Sequence, residues 1–151
     1  MTPTQVPLLI IALFVVEAVL LVVVVIWAKR RQQERMQALV DEIGQSGEKL
    51  VLGPEGAMYR GGTGSYSRVK GSGVIALTSK RLVFRKLVGG EVEVRLNEVA
   101  SVSENRWFLA AYHNGRQHLI LELTDGTKVG FMVKDHQRWM EGVRETRPED
   151  T

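Results

Sequence analysis

Residues Leu8 to Ala28 read LLIIALFVVEAVLLVVVVIWA, and no other stretch limits what this chain can fold into as strongly. As a helix rising about 1.5 Å per residue, the run is roughly 30 Å long, the thickness of a bilayer's hydrocarbon core. We therefore expect a single transmembrane helix over 8–28, behind a short extracytoplasmic N-terminus at 1–7. Glu17 alone interrupts the run. A carboxyl group near the bilayer centre is either protonated and tolerated or turned toward another helix, so Glu17 is the candidate intramembrane contact with a partner or a second copy.

The flanking charges give the sidedness. No Lys or Arg precedes the run, whereas Lys29, Arg30, Arg31 and Arg35 follow it as a juxtamembrane basic anchor. Such clusters stay on the cytoplasmic side, which puts Met1 outside and everything after Ala28 in the cytoplasm, at the cell membrane. A cleaved signal peptide is the competing explanation. The absence of basic residues before the run, its length and the lack of an A-x-A-like site after it favour an uncleaved anchor.

Of the 151 residues, those after the run number about 120, enough for one ordinary domain. The absence of Cys excludes disulfides, thiolate metal sites and cysteine nucleophiles. All 20 Lys and Arg residues lie after position 28, so the net charge of +3 hides a basic cytoplasmic part beside an anionic leaflet.

Over 29–47 an amphipathic helix and linker are expected, because Met36, Leu39, Val40 and Ile43 recur at helical spacing, with Gly44 and Gly47 as stop signals. Its apolar stripe is expected to pack on the domain that follows. From 48 to 147 the pattern changes to short strands: Leu50 to Leu52, Ala57 to Arg60, then a glycine-rich loop from Gly61 to Gly73. Three antiparallel strands follow between Gly73 and Val102, with turns at Thr78 to Lys80 and at Gly89-Gly90. Taken as a two-residue hairpin, the glycine pair sets Leu87 opposite Val92, Val83 opposite Leu96, Lys86 opposite Glu93 and Phe84 opposite Arg95. Val92, Val94 and Leu96 then point inward, and Glu91, Glu93 and Arg95 point to water.

Further strands are expected at Trp107 to Tyr112, His118 to Leu123 and Thr127 to Val133. Treating Thr124 to Gly126 as a three-residue loop sets Leu121 opposite Val129 and Leu119 opposite Phe131. A last helix carries Asp135 as N-cap and Trp139, Met140 and Val143 on one face, before a polar tail at 148–151.

The segment GVIALTSKRLVFRK, Gly73 to Lys86, resembles the G-x-(apolar)-x-LT-x-x-RL-(apolar)-F signature of GRAM and bacterial pleckstrin-homology-like domains. Strands followed by a single helix bearing Trp139 are similar to that fold as well. The resemblance implies a mainly β (α+β) architecture: a seven-stranded, strongly bent antiparallel barrel closed at one end by the C-terminal helix. It also implies a scaffold for binding lipid head groups or protein segments rather than for catalysis. Where members of the family bind inositol phosphates, basic residues near the first inter-strand loop serve, and their counterparts here are Arg60, Arg68 and Lys70.

Arg60, Arg68, Lys70, Lys80, Arg81, Arg85 and Lys86 all fall between Gly56 and Gly90, where no acidic residue occurs. All but Lys86, which the hairpin register gives an acidic partner, are the candidate contacts to anionic lipid or phosphate. Arg81, just after a turn, has the competing explanation of a bond to backbone, and Trp107, Phe108 and Tyr112 either flank a groove or belong to the core. His113 and His118, across an Asn-Gly turn, are diagonal neighbours at roughly 7 Å, without a third ligand. Ser65, Ser67, Ser72 and Ser79 have no G-x-S-x-G context. We therefore expect a non-enzymatic binding module with no cofactor, no metal and no nucleic-acid partner, leaning on anionic lipid. The alternative is a scaffold subunit that meets another membrane protein through Glu17 and the barrel edge.

Overall fold

The computed structural model describes residues 2–3 and 5–148, so Met1, Thr4 and the tail from 149 onward lie outside the described residues. Helix α1 (Gln5–Ser46) is unbroken over 42 residues. Every side chain from Gln5 to Trp27 is exposed, with Phe14 at 66% and Leu21 at 67%. The helix is long and apolar enough to cross a membrane. Leaving such side chains in water forfeits roughly 1.5–3 kcal/mol each, and nothing among the described residues covers them.

Past Ala28 the same helix acquires a protein partner. Leu39 and Ile43, one turn apart, are 1% and 3% exposed and form a small core with Ala76 and Val83 on the outer face of the sheet. The apolar stripe therefore packs on the following domain, as its period implies. Gly44 does not stop the helix, which continues to Ser46; Gly47, at φ +73°, ends it in the left-handed conformation that glycine adopts freely.

The strands are β1 (Leu50–Gly62), β2 (Gly71–Thr78), β3 (Arg81–Lys86), β4 (Glu91–Arg95), β5 (Val99–Asn105), β6 (Trp107–Phe108), β7 (Ala111–Tyr112), β8 (His118–Leu123) and β9 (Lys128–Met132), with helix α2 at His136–Thr146. Seven of them form one antiparallel sheet in the order β4-β3-β2-β1-β9-β8-β5, while β6 and β7 pair separately. The two early strand segments are thus one long β1, which pairs first with β2 and then, past a register shift, with β9. This brings Phe84 of β3 against Phe131 of β9, ring centroids 5.7 Å apart, with Tyr59 touching both. No ladder joins β4 to β5. The expected closed barrel is corrected to an open sheet folded around one core, an α+β arrangement.

Two registers test the sequence patterns. Leu121 faces Val129 and Leu119 faces Phe131, as the three-residue loop implies, with Gly126 at φ +84°. In the β3–β4 hairpin, however, Val83 faces Glu93 and Phe84 faces Val92, because the chain reverses through a longer Lys86–Gly90 turn than the glycine pair alone. Val92, Val94 and Leu96 are buried as expected, but the shift is odd, and an odd shift exchanges faces. Leu82 and Phe84 enter the main core, and Val83 turns outward to meet α1. The expected strand at Trp107 to Tyr112 is also corrected: Leu109 and Ala110, both at positive φ, fold it into the β6–β7 hairpin.

Helix α2 begins at Asp135, whose side chain accepts from the Arg138 backbone N–H. Its Trp139 and Val143 are buried in the main core, and the Trp139 Nε1–H donates to Glu55 at 2.6 Å.

Candidate functional site

Strand β3 runs antiparallel to α1. At one end the Arg31 Nε–H donates to the Leu87 carbonyl at 3.3 Å; further along the helix Glu42 meets both Arg81 and Arg85. At 1.5 Å per residue, Arg31 and Glu42 lie about 16 Å apart along the axis, so the sheet has an end near the apolar part of α1 and a far end. The near end holds the β3–β4 turn and the β1–β2 loop, joined by Lys86 Nζ donating to the Val69 carbonyl at 2.9 Å and by Leu87 N–H donating to Ser72 at 2.9 Å. It also carries two exposed apolar side chains, Val69 at 68% and Val88 at 73%. Arg68 and Lys70 flank Val69 and are exposed.

The remaining basic candidates are distributed otherwise. Arg60 is buried, and its Nε–H donates to His118 Nε2 at 3.3 Å. Arg81 bonds Glu48 through Nε at 3.1 Å, Glu93 through Nη1 at 2.9 Å and Glu42 through Nη2 at 3.3 Å, so its partners are carboxylates, not backbone. Burial works against the charge of Arg81, but Glu48 and Glu93 outweigh it and raise its pKa. Burial likewise pushes the Glu48 carboxyl up, and hydrogen bonds from Thr78 and Arg81 more than reverse this, leaving it below its ordinary value. Thr78 Oγ1 completes the corner, accepting from the Lys80 and Arg81 backbone N–H groups and donating to Glu48 at 2.7 Å. The LT-x-x-RL residues thus build a fastening between β2, β3 and the end of α1. Arg85 pairs with Glu42 and Glu91. Arg60, Arg81 and Arg85 are therefore engaged inside the fold, while Lys80 is exposed at the far end.

On the helix, Lys29 and Arg30 are exposed and Arg31 is half-buried. Arg35 is half-buried as well, its Nε enclosed without a partner among the described residues. Glu17 is exposed on the apolar half of α1.

Several contacts escape the sequence patterns because their partners are far apart in the chain. Lys86 is buried with Nζ 5.2 Å from the Tyr59 ring centroid. Burial, with a smaller contribution from Tyr66, pushes the Tyr59 phenol up to about 12. His118 is fully buried, with Nδ1 3.0 Å from the Asn105 carbonyl. Since Nε2 accepts from Arg60, Nδ1 carries the proton and the ring is neutral. Burial depresses the His118 pKa further than the Asn105 carbonyl raises it, and the Arg60 charge adds to the depression. Phe108 is buried beside this ring, at 6.3 Å, whereas Trp107 and Tyr112 stack on each other in the open at 5.1 Å. Among the described residues no group of three or more His, Cys, Asp or Glu is placed to hold a metal.

A cleft lies at each end of β3. One of about 530 Å³ lies at the far end between Lys80, Arg81, Arg95 and Pro148; the other, about 480 Å³, lies at the near end between Trp27, Arg30 and the β3–β4 turn.

No protein-family model matches this chain, and no curated protein does. Among solved structures it is similar to the C-terminal domain of an unknown protein from Leishmania infantum, with a TM-score of 0.51 at 8% identity, over 73% of this chain and 94% of that one. At that identity the likeness concerns the fold alone.

Proposed function

We propose that the chain is a single-pass membrane protein whose cytoplasmic, pleckstrin-homology-like domain is a non-enzymatic binding module held against anionic lipid. The observation that carries this reading is the division of α1. Its apolar half has no protein cover among the described residues, while its polar half is fastened along β2 and β3 by Leu39, Ile43 and the Glu42 ion pairs. With residues 8–28 in the bilayer and the basic flank inside, the near end of the sheet faces the headgroups. Arg68 and Lys70 then lie toward the lipid with Val69 and Val88, and each cation contributes about 1 kcal/mol there. Lys80 points away from the surface.

The test uses the full chain in vesicles of phosphatidylcholine alone or of equal parts phosphatidylcholine and phosphatidylglycerol. Trypsin cleavage after Arg68 and Lys70 is expected to slow several-fold in the anionic vesicles and to recover at high salt. Equal cleavage in both vesicles rejects the lipid reading, and release of the chain by alkaline extraction rejects the membrane reading. A scaffold role is the second reading, favoured by the far-end cleft, turned from the membrane in this arrangement, and by the unpaired outer edge of β4.

A further inference from the structure

The near-end cleft lies where α1 changes from apolar to basic. Trp27, Arg30, Arg31 and Glu34 line it from the helix at i, i+3, i+4 and i+7, which is one helical face, and Leu87, Val88 and Gly89 line it from the turn. Arg31 is held in place by the Leu87 carbonyl at 3.3 Å and by Glu34 at 3.6 Å. Arg30 is exposed and makes no ion pair among the described residues. The turn stays uncrowded, since a Cβ at Gly90 meets nothing within 4 Å. At about 480 Å³ the space falls within the range of small-molecule sites.

We propose that this cleft holds the headgroup of one singly charged anionic phospholipid from the leaflet into which α1 runs. The proposal rests on the membrane reading above. Arg30 and Arg31 donate to the phosphate oxygens, while Trp27, whose indole suits the interface, and Val88 lie against the ester and first methylene groups. Glu34 sets the charge: two guanidiniums and one carboxylate leave a net +1, matched to a monoanionic lipid and poorly matched to a polyphosphorylated one. Lys29 adjoins Arg30 in sequence but is not part of the lining, so it supplies the same charge at the same depth without the site.

The experiment takes the full chain from nanodiscs of equal parts phosphatidylcholine and phosphatidylglycerol into mild detergent and weighs it intact by native mass spectrometry. A one-to-one phosphatidylglycerol adduct is expected for the wild type and for Lys29→Gln. It is expected to fall about fivefold in Arg30→Gln and about thirtyfold when Arg31→Gln is added, at the usual increment per cation. Arg30→Gln leaves the Arg31–Leu87 contact intact, so its loss of lipid is not a loss of fold. Equal loss in Lys29→Gln and Arg30→Gln, equal retention of phosphatidylcholine, or displacement of the adduct by inorganic phosphate overturns the site. Failure of the chain to insert in the nanodisc refutes the membrane reading instead, which separates the two outcomes.

Discussion

Leu39→Ala isolates the fastening of α1 to the sheet. Leu39 is 1% exposed in a small core with Ile43, Ala76 and Val83, whereas the main core lies on the opposite face of β2 and β3. Truncating a buried leucine costs about 2–5 kcal/mol, the upper values where the cavity cannot collapse. Here one wall is a helix that can move, so about 3 kcal/mol is the reasonable figure, and it falls on docking rather than on the domain's own fold. Undocking frees Arg31 and Arg35 for local fraying and tryptic cleavage. When reclosing outpaces cleavage, the rate follows the open population, and 3 kcal/mol raises it by about 150-fold. Site-resolved cleavage after Arg31 and Arg35, read by mass spectrometry, measures this. Val40→Ala is the control, since Val40 is 39% exposed on the adjacent face and is expected to change the rate less than twofold. Equal rates for wild type and Leu39→Ala, or equal acceleration in both variants, refute the docking account.

His118 makes folding pH-dependent. Its folded pKa lies below the unfolded value near 6.5, so the unfolded chain takes up the proton first; stability is full above that value and falls as pH drops through it, by at most about 1.4 kcal/mol per unit. Chemical denaturation of wild type minus His118→Gln, from pH 7.5 to 5, is expected to show this slope, and a flat difference rejects it. Gly130→Ala drives a methyl group into the Phe108 ring and is expected to cost about 1–3 kcal/mol, whereas Gly90→Ala, in open space, is expected to stay within about 0.5 kcal/mol; thermal unfolding compares the two. If Glu17 meets a second helix, Glu17→Gln lowers the yield of in-membrane crosslinks without changing extraction, and an unchanged yield removes Glu17 as a contact.

What the sequence made legible depended on whether a pattern was local. The β8–β9 register followed from Thr124, Asp125 and Gly126 alone, and the stripe of Leu39 and Ile43 announced its own packing. The β3–β4 register did not, because β3 is covered on both sides. RLVFRK shows no alternation that would reveal whether Val83 belongs with Phe84's face or with the helix's. The basic candidates misled for a related reason. Between Gly56 and Gly90 no acid is visible, yet Glu42, Glu48, Glu91 and Glu93 from outside that interval fold back onto Arg81 and Arg85, and His118 reaches Arg60 from 58 positions away. Arg68 and Lys70 on the β1–β2 loop, and Lys80 at the far end, stay as exposed as their sequence implied.

The unbroken course of α1 makes the proposed anchor a lever arm as well. No glycine pair, proline or loop separates Trp27 from Leu39, and the sheet grips the shaft at several heights. A tilt or rotation of the apolar half is therefore delivered whole to the domain. At 1.5 Å per residue, a 20° tilt about Ala28 sweeps the Ser46 end sideways by about 9 Å. One residue inserted at Lys29 turns the sheet about 100° around the shaft and leaves the fastening at Glu42 intact. Such an insertion separates what the domain is from where it points.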